Sequence, residues 1–383
     1  MKKNYLFALT LIALMSVSCS GNTIPNDISF ELEGFSTDIE FHTSEQLNAF
    51  IGDFDNVLDD TLYRYLEPYD TRLTKEDMTL PLSVELKWDA KAKGGSVSKY
   101  TVEISEEGSF AEYQSFTSKT KSLELYNLKR DTTYYWRVKA YNFVSEVSTF
   151  KTNDTVIRNL YVDGVNNVRD IGGYGQIKQG MIYRGGSFEK YDKNAKKVVI
   201  NVTAEGVKTL LEQLAIKTEV DLRRDDPDEH ENCDLTKSSV SGLAYVALPL
   251  EYHNHNILTW TDDKYNNPLR IKQFFELLAE ESNYPIYMHC SQGKDRTGCL
   301  AYLVEALMNV DETSRYMDYL FSSFSAYSNR VNRTGIDSFY GKTLSQYGDA
   351  SLSLGEKTYK YLNEVIGVSE ENLNTVKQLL GTM

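Results

Sequence analysis

Residues 285 to 298 constrain this chain more than any other stretch. Pro285, Ile286, Tyr287 and Met288 run through His289 into Cys290, and five residues separate that cysteine from Arg296. Beyond the loop, Leu300, Leu303, Val304 and Leu307 recur at helical spacing, so Cys290 falls where a buried strand ends and Arg296 where a helix begins. Such a turn is an anion trap. The N–H groups of Ser291, Gln292, Gly293, Lys294, Asp295 and Arg296 can point into the loop, the helix N-terminus adds partial positive charge, and a guanidinium holds two oxygens at once. The donors that bind phosphate also favour a thiolate at the floor of the pocket.

The run His289-Cys290-Ser291-Gln292-Gly293-Lys294-Asp295-Arg296-Thr297-Gly298 resembles the signature of the protein tyrosine phosphatase superfamily, in its bacterial tyrosine and lipid phosphatase branch. Two other stretches repeat the resemblance: Asn167-Val168-Arg169-Asp170-Ile171-Gly172-Gly173-Tyr174, then Tyr183-Arg184-Gly185-Gly186-Ser187, and Asp221-Leu222-Arg223 at a strand end. The closing Gly367-Val368-Ser369-Glu370-Glu371-Asn372-Leu373 is similar to the last helix of that branch. The resemblance implies an α/β domain and a cysteine-dependent phosphatase that needs no cofactor and no metal. Arg169, Asp170, Asp221 and Arg223 either face the substrate or tie loops together by ion pairs.

A chain of 383 residues suggests two domains plus extensions, and a net charge of −14 argues against nucleic acid as a partner. Residues 1–19 carry Lys2 and Lys3, an apolar run too short to span a bilayer as a helix, and small residues before Cys19. They resemble a bacterial lipoprotein signal in which Cys19 is lipidated. The expected location is outside the cytosol, tethered to a membrane at the periplasmic face or cell surface; the plainer alternative is a cleaved secretory signal. Of the 4 cysteines, Cys19 and Cys290 then have roles, while Cys233 and Cys299 stand either as redox partners of Cys290 or as filler.

Residues 20–67 read as a tether and a small helical piece, with Leu47, Phe50, Ile51, Phe54 and Leu58 at helical spacing. Residues 68–154 change to short alternating strands, Val84 to Trp88, Tyr100 to Ile104 and Tyr135 to Lys139, the pattern of an all-β sandwich. Trp88 on an early strand, with Leu128 six positions before Tyr134, resembles a fibronectin type III domain, in which that tyrosine caps a corner. Residues 155–383 alternate strand and helix: helices at 203–214 and 268–281, strands at 219–222 and 243–250, and helices near 312–324, 356–366 and 370–380. This predicts a mostly parallel sheet flanked by helices, with the ligand beyond the carboxyl ends of its strands.

The expected chemistry is attack of Cys290 on phosphorus, with Arg296 holding the equatorial oxygens and Thr297 bonding the sulfur. His289 is read as orienting the loop. Two carboxyls compete to protonate the leaving oxygen. Asp295 lies in the loop and ranks first; Asp262, in Trp260-Thr261-Asp262-Asp263, is similar to the lid acid of other tyrosine phosphatases, although Thr261 replaces a proline. A third reading has Asp295 only pairing within the loop. The expected substrate is protein phosphotyrosine. Phosphoserine, phosphothreonine or a phosphoinositide is the alternative, the last favoured if Lys294 meets a second phosphate. A non-catalytic, lipid-anchored adhesion protein, a rhodanese and an arsenate reductase are the competing classes.

Overall fold

A computed structural model describes residues 23–40, 45–53, 77–155, 157–192, 194–224, 235–252, 257–325 and 341–382. Cys19, Cys233, Phe54 and Leu58 lie outside them. Among the described residues no helix is long and apolar enough to cross a membrane. By contact the chain divides into two units, one drawn from Met1–Glu33, Lys87–Leu123 and Trp136–Ser148, the other from Gly34–Leu86, Glu124–Tyr135 and Thr149–Met383.

The span read as a tether holds a strand, β1 (Asp27–Leu32), and a helix, α1 (Glu45–Gly52). An antiparallel β domain follows: β2 (Val84–Lys93), β3 (Tyr100–Ser105), β4 (Gln114–Ser118), β5 (Ser122–Leu125), β6 (Thr133–Ala140), β7 (Phe143–Val144) and β8 (Ser148–Lys151). One sheet runs β1-β2-β5 and the other β4-β3-β6-β7, with β8 beside β6. In β6 the buried residues are Tyr134, Trp136, Val138 and Ala140, the period of two that a half-buried strand requires. Trp88 meets Tyr100 edge-on, and the Tyr134 hydroxyl accepts from Lys129 N at 2.7 Å, capping the corner as the sequence suggests.

The larger unit continues with β9 (Arg158–Asn159), β10 (Arg169–Asp170), β11 (Ile182–Gly185), the hairpin β12 (Glu189–Asp192) and β13 (Lys197–Ile200), α2 (Ala204–Lys208), β14 (Thr218–Asp221), β15 (Ala244–Ala247), α3 (Asn267–Leu278), β16 (Ile286–His289), α4 (Asp295–Leu307), α5 (Glu312–Phe321), α6 (Lys342–Ser345), α7 (Leu354–Tyr361) and α8 (Glu370–Leu380). Its six-stranded sheet has the order β15-β14-β16-β11-β10-β9. The first four of these strands are mutually parallel, and β10 runs antiparallel to both its neighbours.

Alternation along the central strands feeds two cores. Ile286 and Met288 of β16, with Ile182 of β11, join the cluster of α3, α4, α5, α7 and α8. Tyr287 and Tyr183 turn to the other, with Leu210 and Leu214 from the π-helical turn that extends α2. The sheet is therefore covered on both faces, which is why β16 is buried throughout. Every residue of α4 from Arg296 to Leu307 is buried, so the helix behind the cysteine loop is the centre of the core. Leu47 and Phe50 of α1 belong to the same cluster, Phe50 lying 5.0 Å from Phe324 between ring centroids.

Candidate active site

Three parallel strands end level with one another, since Gly185 of β11 and Asp221 of β14 both stand opposite His289 of β16. Cys290 follows at the carboxyl edge of the sheet and is 3% exposed. Gly293 has φ +69°, and a Cβ there would lie 2.1 Å from Gly185 O, so the loop closes against β11 only because this residue has no side chain. Lys294 caps α4 with no side-chain bond to its first turn.

The loop carbonyls are drawn outward by donors from other elements. Asn167 Nδ2 donates to Gln292 O at 3.0 Å and Gly293 O at 3.4 Å. Arg184 Nη2 donates to Gly293 O at 2.8 Å and Lys294 O at 3.3 Å, and Ser187 N reaches Ser291 O at 3.3 Å. In a planar trans peptide the C=O and the next N–H point opposite ways, so holding these carbonyls outside turns the N–H groups of Gln292, Gly293, Lys294 and Asp295 to the inner side. The anion trap is built by what grips the loop from behind.

That grip depends on one carboxylate. Asp318 of α5 accepts from Arg169 Nε at 2.6 Å and from Arg184 Nη1, all three being essentially inaccessible. Burial raises the Asp318 carboxyl, but the guanidiniums of Arg169 and Arg184 outweigh it and keep the group below its usual range. Arg169 also donates to Asn167 Oδ1 at 2.7 Å and Ser322 Oγ at 3.0 Å, which locks the amide that holds Gln292 and Gly293.

Burial pushes the Cys290 thiol up. Arg296 and the Thr297 hydroxyl and N–H more than offset this against a contrary push from Asp295, and the thiol lies below its ordinary value. The Thr297 hydroxyl has no other hydrogen-bond partner among the described residues. Arg296 donates to Leu222 O at 3.4 Å, and its guanidinium sits 4.8 Å from the centroid of the half-exposed Tyr252 ring. Arg224 approaches that ring at 5.1 Å. His289 Nε2 lies 2.8 Å from Glu219 Oε1 and Nδ1 lies 3.1 Å from Cys290 O. Burial lowers the imidazole, but Asp221 and Glu219 raise it above its ordinary value, which favours its charged form, paired with Glu219 at the strand end.

The two candidate acids stand in different surroundings. Asp295 opens α4, half-buried, with its carboxylate taking the Tyr319 hydroxyl. Asp262 is exposed; its oxygens accept from Tyr265 N at 2.7 Å, Trp260 Nε1 at 2.8 Å and Lys264 N at 2.8 Å, and these bonds hold it below its usual range. Ser291 and Gln292 are exposed at the mouth, whereas Lys294 is buried.

Arg169, Asp170, Asp221 and Arg223 are each buried against partners of opposite charge. Asp170 accepts from Arg158 at 2.5 Å and Gly180 N at 2.6 Å. Asp221 accepts from Arg223 Nη2 at 2.7 Å and the Tyr245 hydroxyl at 2.8 Å, while Arg223 also reaches Glu189. Ligand atoms of Glu219, Asp221 and His289 all lie within 4.8 Å of one another; Glu219 pairs with His289 and Asp221 with Arg223. Cys299 is fully buried in α4. Asn167, Arg184, Asp318 and Tyr252 join the site without having stood among the residues expected from sequence. The first two lie in stretches that carried the resemblance; Asp318 and Tyr252 carry no local signal.

The model of the tyrosine phosphatase family matches residues 160–382, and that of the fibronectin type III domain matches residues 79–151. Among solved structures, the chain is similar to the core catalytic domain of the PP-IP phosphatase Siw14 from S. cerevisiae, at 20% identity over 48% of this chain and 94% of that one, TM-score 0.29. TpbA of P. aeruginosa in complex with pTyr is similar at 17% identity over 42% and 78%, TM-score 0.27. The 6th fibronectin type III domain of human fibronectin type III domain containing protein 3 is similar at 25% identity over 19% and 73%, TM-score 0.17.

Proposed function

The chain belongs to the tyrosine phosphatase family, and on that premise we propose that it hydrolyses phosphotyrosine in proteins through a phosphocysteine at Cys290. The observation that carries this is the placement of Cys290 at the floor of a loop whose carbonyls from Ser291 to Lys294 are gripped from outside, beside Arg296 and Thr297, which favour its thiolate. The thiolate attacks phosphorus in line; the S–P bond forms as the bond to the leaving oxygen breaks. Arg296 and the inward N–H groups take up the charge spreading over the equatorial oxygens. Asp295 gives its proton to the leaving oxygen, then takes one from the water that cleaves the S–P bond. Thr297 bonds the departing thiolate.

Asp295 is preferred to Asp262 because the latter is stabilised as a carboxylate by its own turn, which opposes carrying a proton. Lys294, buried in the cradle, favours a second reading in which phosphoinositides or phosphoserine and phosphothreonine are also hydrolysed. Lipidation at Cys19 gives this activity a site outside the cytosol, with the sandwich as a spacer from the membrane; the basic start and short apolar run of residues 1–19 support it.

Steady-state hydrolysis of phosphotyrosyl peptide, phosphoseryl peptide and phosphoinositide by the full chain and its Cys290→Ser variant tests the proposal. The expected result is highest kcat/KM on phosphotyrosine, abolished by the substitution. Faster turnover of phosphoinositide favours the second reading. Hydrolysis that survives Cys290→Ser, or no hydrolysis by the wild type, contradicts both.

A further inference from the structure

The family match begins at residue 160 and the sandwich match at residue 79, so residue 77 lies outside both. Yet residues 77–79 reach the back of the catalytic loop. Asp77 Oδ2 accepts from Asn167 N at 3.3 Å, and Oδ1 accepts from Thr79 N at 2.9 Å and from the Thr79 hydroxyl. Met78 N donates to Phe324 O at 3.0 Å, and Thr79 O accepts from Asn159 Nδ2 at 2.8 Å. Met78 lies in the same core cluster as Leu47 and Phe50 of α1, so the chain between β1 and β2 is anchored in the catalytic core at two places.

Asn167 is the hinge of this arrangement. It is 1% exposed and holds φ +61°, a left-handed conformation that asparagine tolerates better than most residues. This carries its amide to Gln292 O, Gly293 O and Ser322 Oγ. Its backbone N–H is turned away from the loop and buried, and a buried N–H needs an acceptor. Asp77 supplies it. The carboxyl, which burial raises above its usual range, also lies near Arg169, whose Nη1 bonds Asn167 Oδ1. Asp77 thus fixes both the backbone and the charged neighbour of the residue that keeps two loop carbonyls outside.

We propose that Asp77 is a positioning residue for the phosphate loop, acting through Asn167, so that the catalytic site is completed by a residue that lies between β1 and β2 and outside both family matches. This rests on the reading of Cys290 and its loop as a phosphatase site. Without the Asp77 carboxylate, Asn167 loses its backbone acceptor, the carbonyls of Gln292 and Gly293 are held less firmly, and the inward N–H groups that bind phosphate and stabilise the thiolate lose their alignment. The segment is then part of the enzyme, and a catalytic fragment cut at the family boundary lacks it.

The test uses the full chain carrying Asp77→Ala, Asp77→Asn or, as a control in α1 away from Asn167, Phe50→Leu. Orthovanadate affinity, kcat and KM on p-nitrophenyl phosphate, the pH profile of Cys290 alkylation by iodoacetamide, and thermal midpoint are measured. Asp77→Ala is expected to weaken vanadate binding and raise KM about tenfold, the scale of one lost buried hydrogen bond to a charged group, and to move the alkylation profile to higher pH. Asp77→Asn, which keeps an acceptor but not the charge, falls between and serves if the alanine variant does not fold. Phe50→Leu lowers the thermal midpoint and leaves vanadate affinity and alkylation unchanged. Asp77 variants that match the wild type in vanadate affinity and alkylation, whatever their stability, overturn the proposal. Failure of the phosphatase reading looks different: the wild type itself then shows no Cys290-dependent hydrolysis.

Discussion

Arg184 donates at 2.8 Å to the carbonyl of Gly293, a residue 109 positions further along the chain and in the loop that carries Cys290. Arginine here serves the site without facing substrate. It pairs with Asp318, which it shares with Arg169, so three buried ionic groups stand behind one turn.

Removing the shared carboxylate leaves two guanidiniums uncompensated. Asp318→Asn is expected to cost about 3–5 kcal/mol of stability, read by urea denaturation, the usual scale for breaking a buried ion pair. Glu305, buried near Asp318, makes a useful contrast. Burial, reinforced by Asp318, raises its carboxyl well above the usual range, which favours the uncharged form. Glu305→Gln is expected to cost less than Asp318→Asn in the same experiment, because burial already disfavours the charged form that the substitution removes.

If Asp295 is the general acid, it must be protonated when the leaving oxygen departs. Asp295→Asn is expected to lower kcat at least about a hundredfold on phenyl phosphate and to remove the fall in rate at high pH. The loss is smaller on p-nitrophenyl phosphate, whose phenolate leaves without help. Asp262→Asn should leave both profiles unchanged. A reversed pattern moves the role to Asp262.

The thiol prediction is direct. Iodoacetamide modification of Cys290 should show a midpoint below the ordinary cysteine value of about 8.5, and Thr297→Val should raise it, because one of the groups favouring the thiolate is lost.

His289 gives a pH dependence with a definite sign. Its folded pKa lies above the unfolded value of about 6.5, so the charged imidazole stabilises the fold fully below that pH, and the contribution is lost as pH rises through the folded value. The gap in thermal midpoint between wild type and His289→Gln is therefore expected to be widest near pH 6 and to narrow in alkaline buffer. A gap that grows with pH contradicts the assignment.

What the sequence revealed was local. The strand, loop and helix around Cys290 are adjacent in the chain, and the alternation of β6 or the spacing of Ile271, Phe274, Phe275 and Leu278 in α3 declares which side is buried. Leu47 and Phe50 announced a helix but not its destination, since an apolar face says only that it will be covered. Asp318 and Arg184 meet across 134 positions and Asp77 and Asn167 across 90, so no window of sequence contains either pair. A buried carboxylate also looks like a surface one until its partners are known. The supports of the loop were therefore hidden, while the loop itself was plain.

The central claim is a covalent bond between Cys290 and phosphorus. Rapid acid quench during turnover of p-nitrophenyl phosphate, followed by proteolysis and mass spectrometry, measures it most directly. The account predicts a phosphate increment on the peptide containing Cys290, absent in Cys290→Ser and absent without substrate. Full turnover by the wild type with no increment on that peptide at any quench time, and with Cys290→Ser still active, would contradict it.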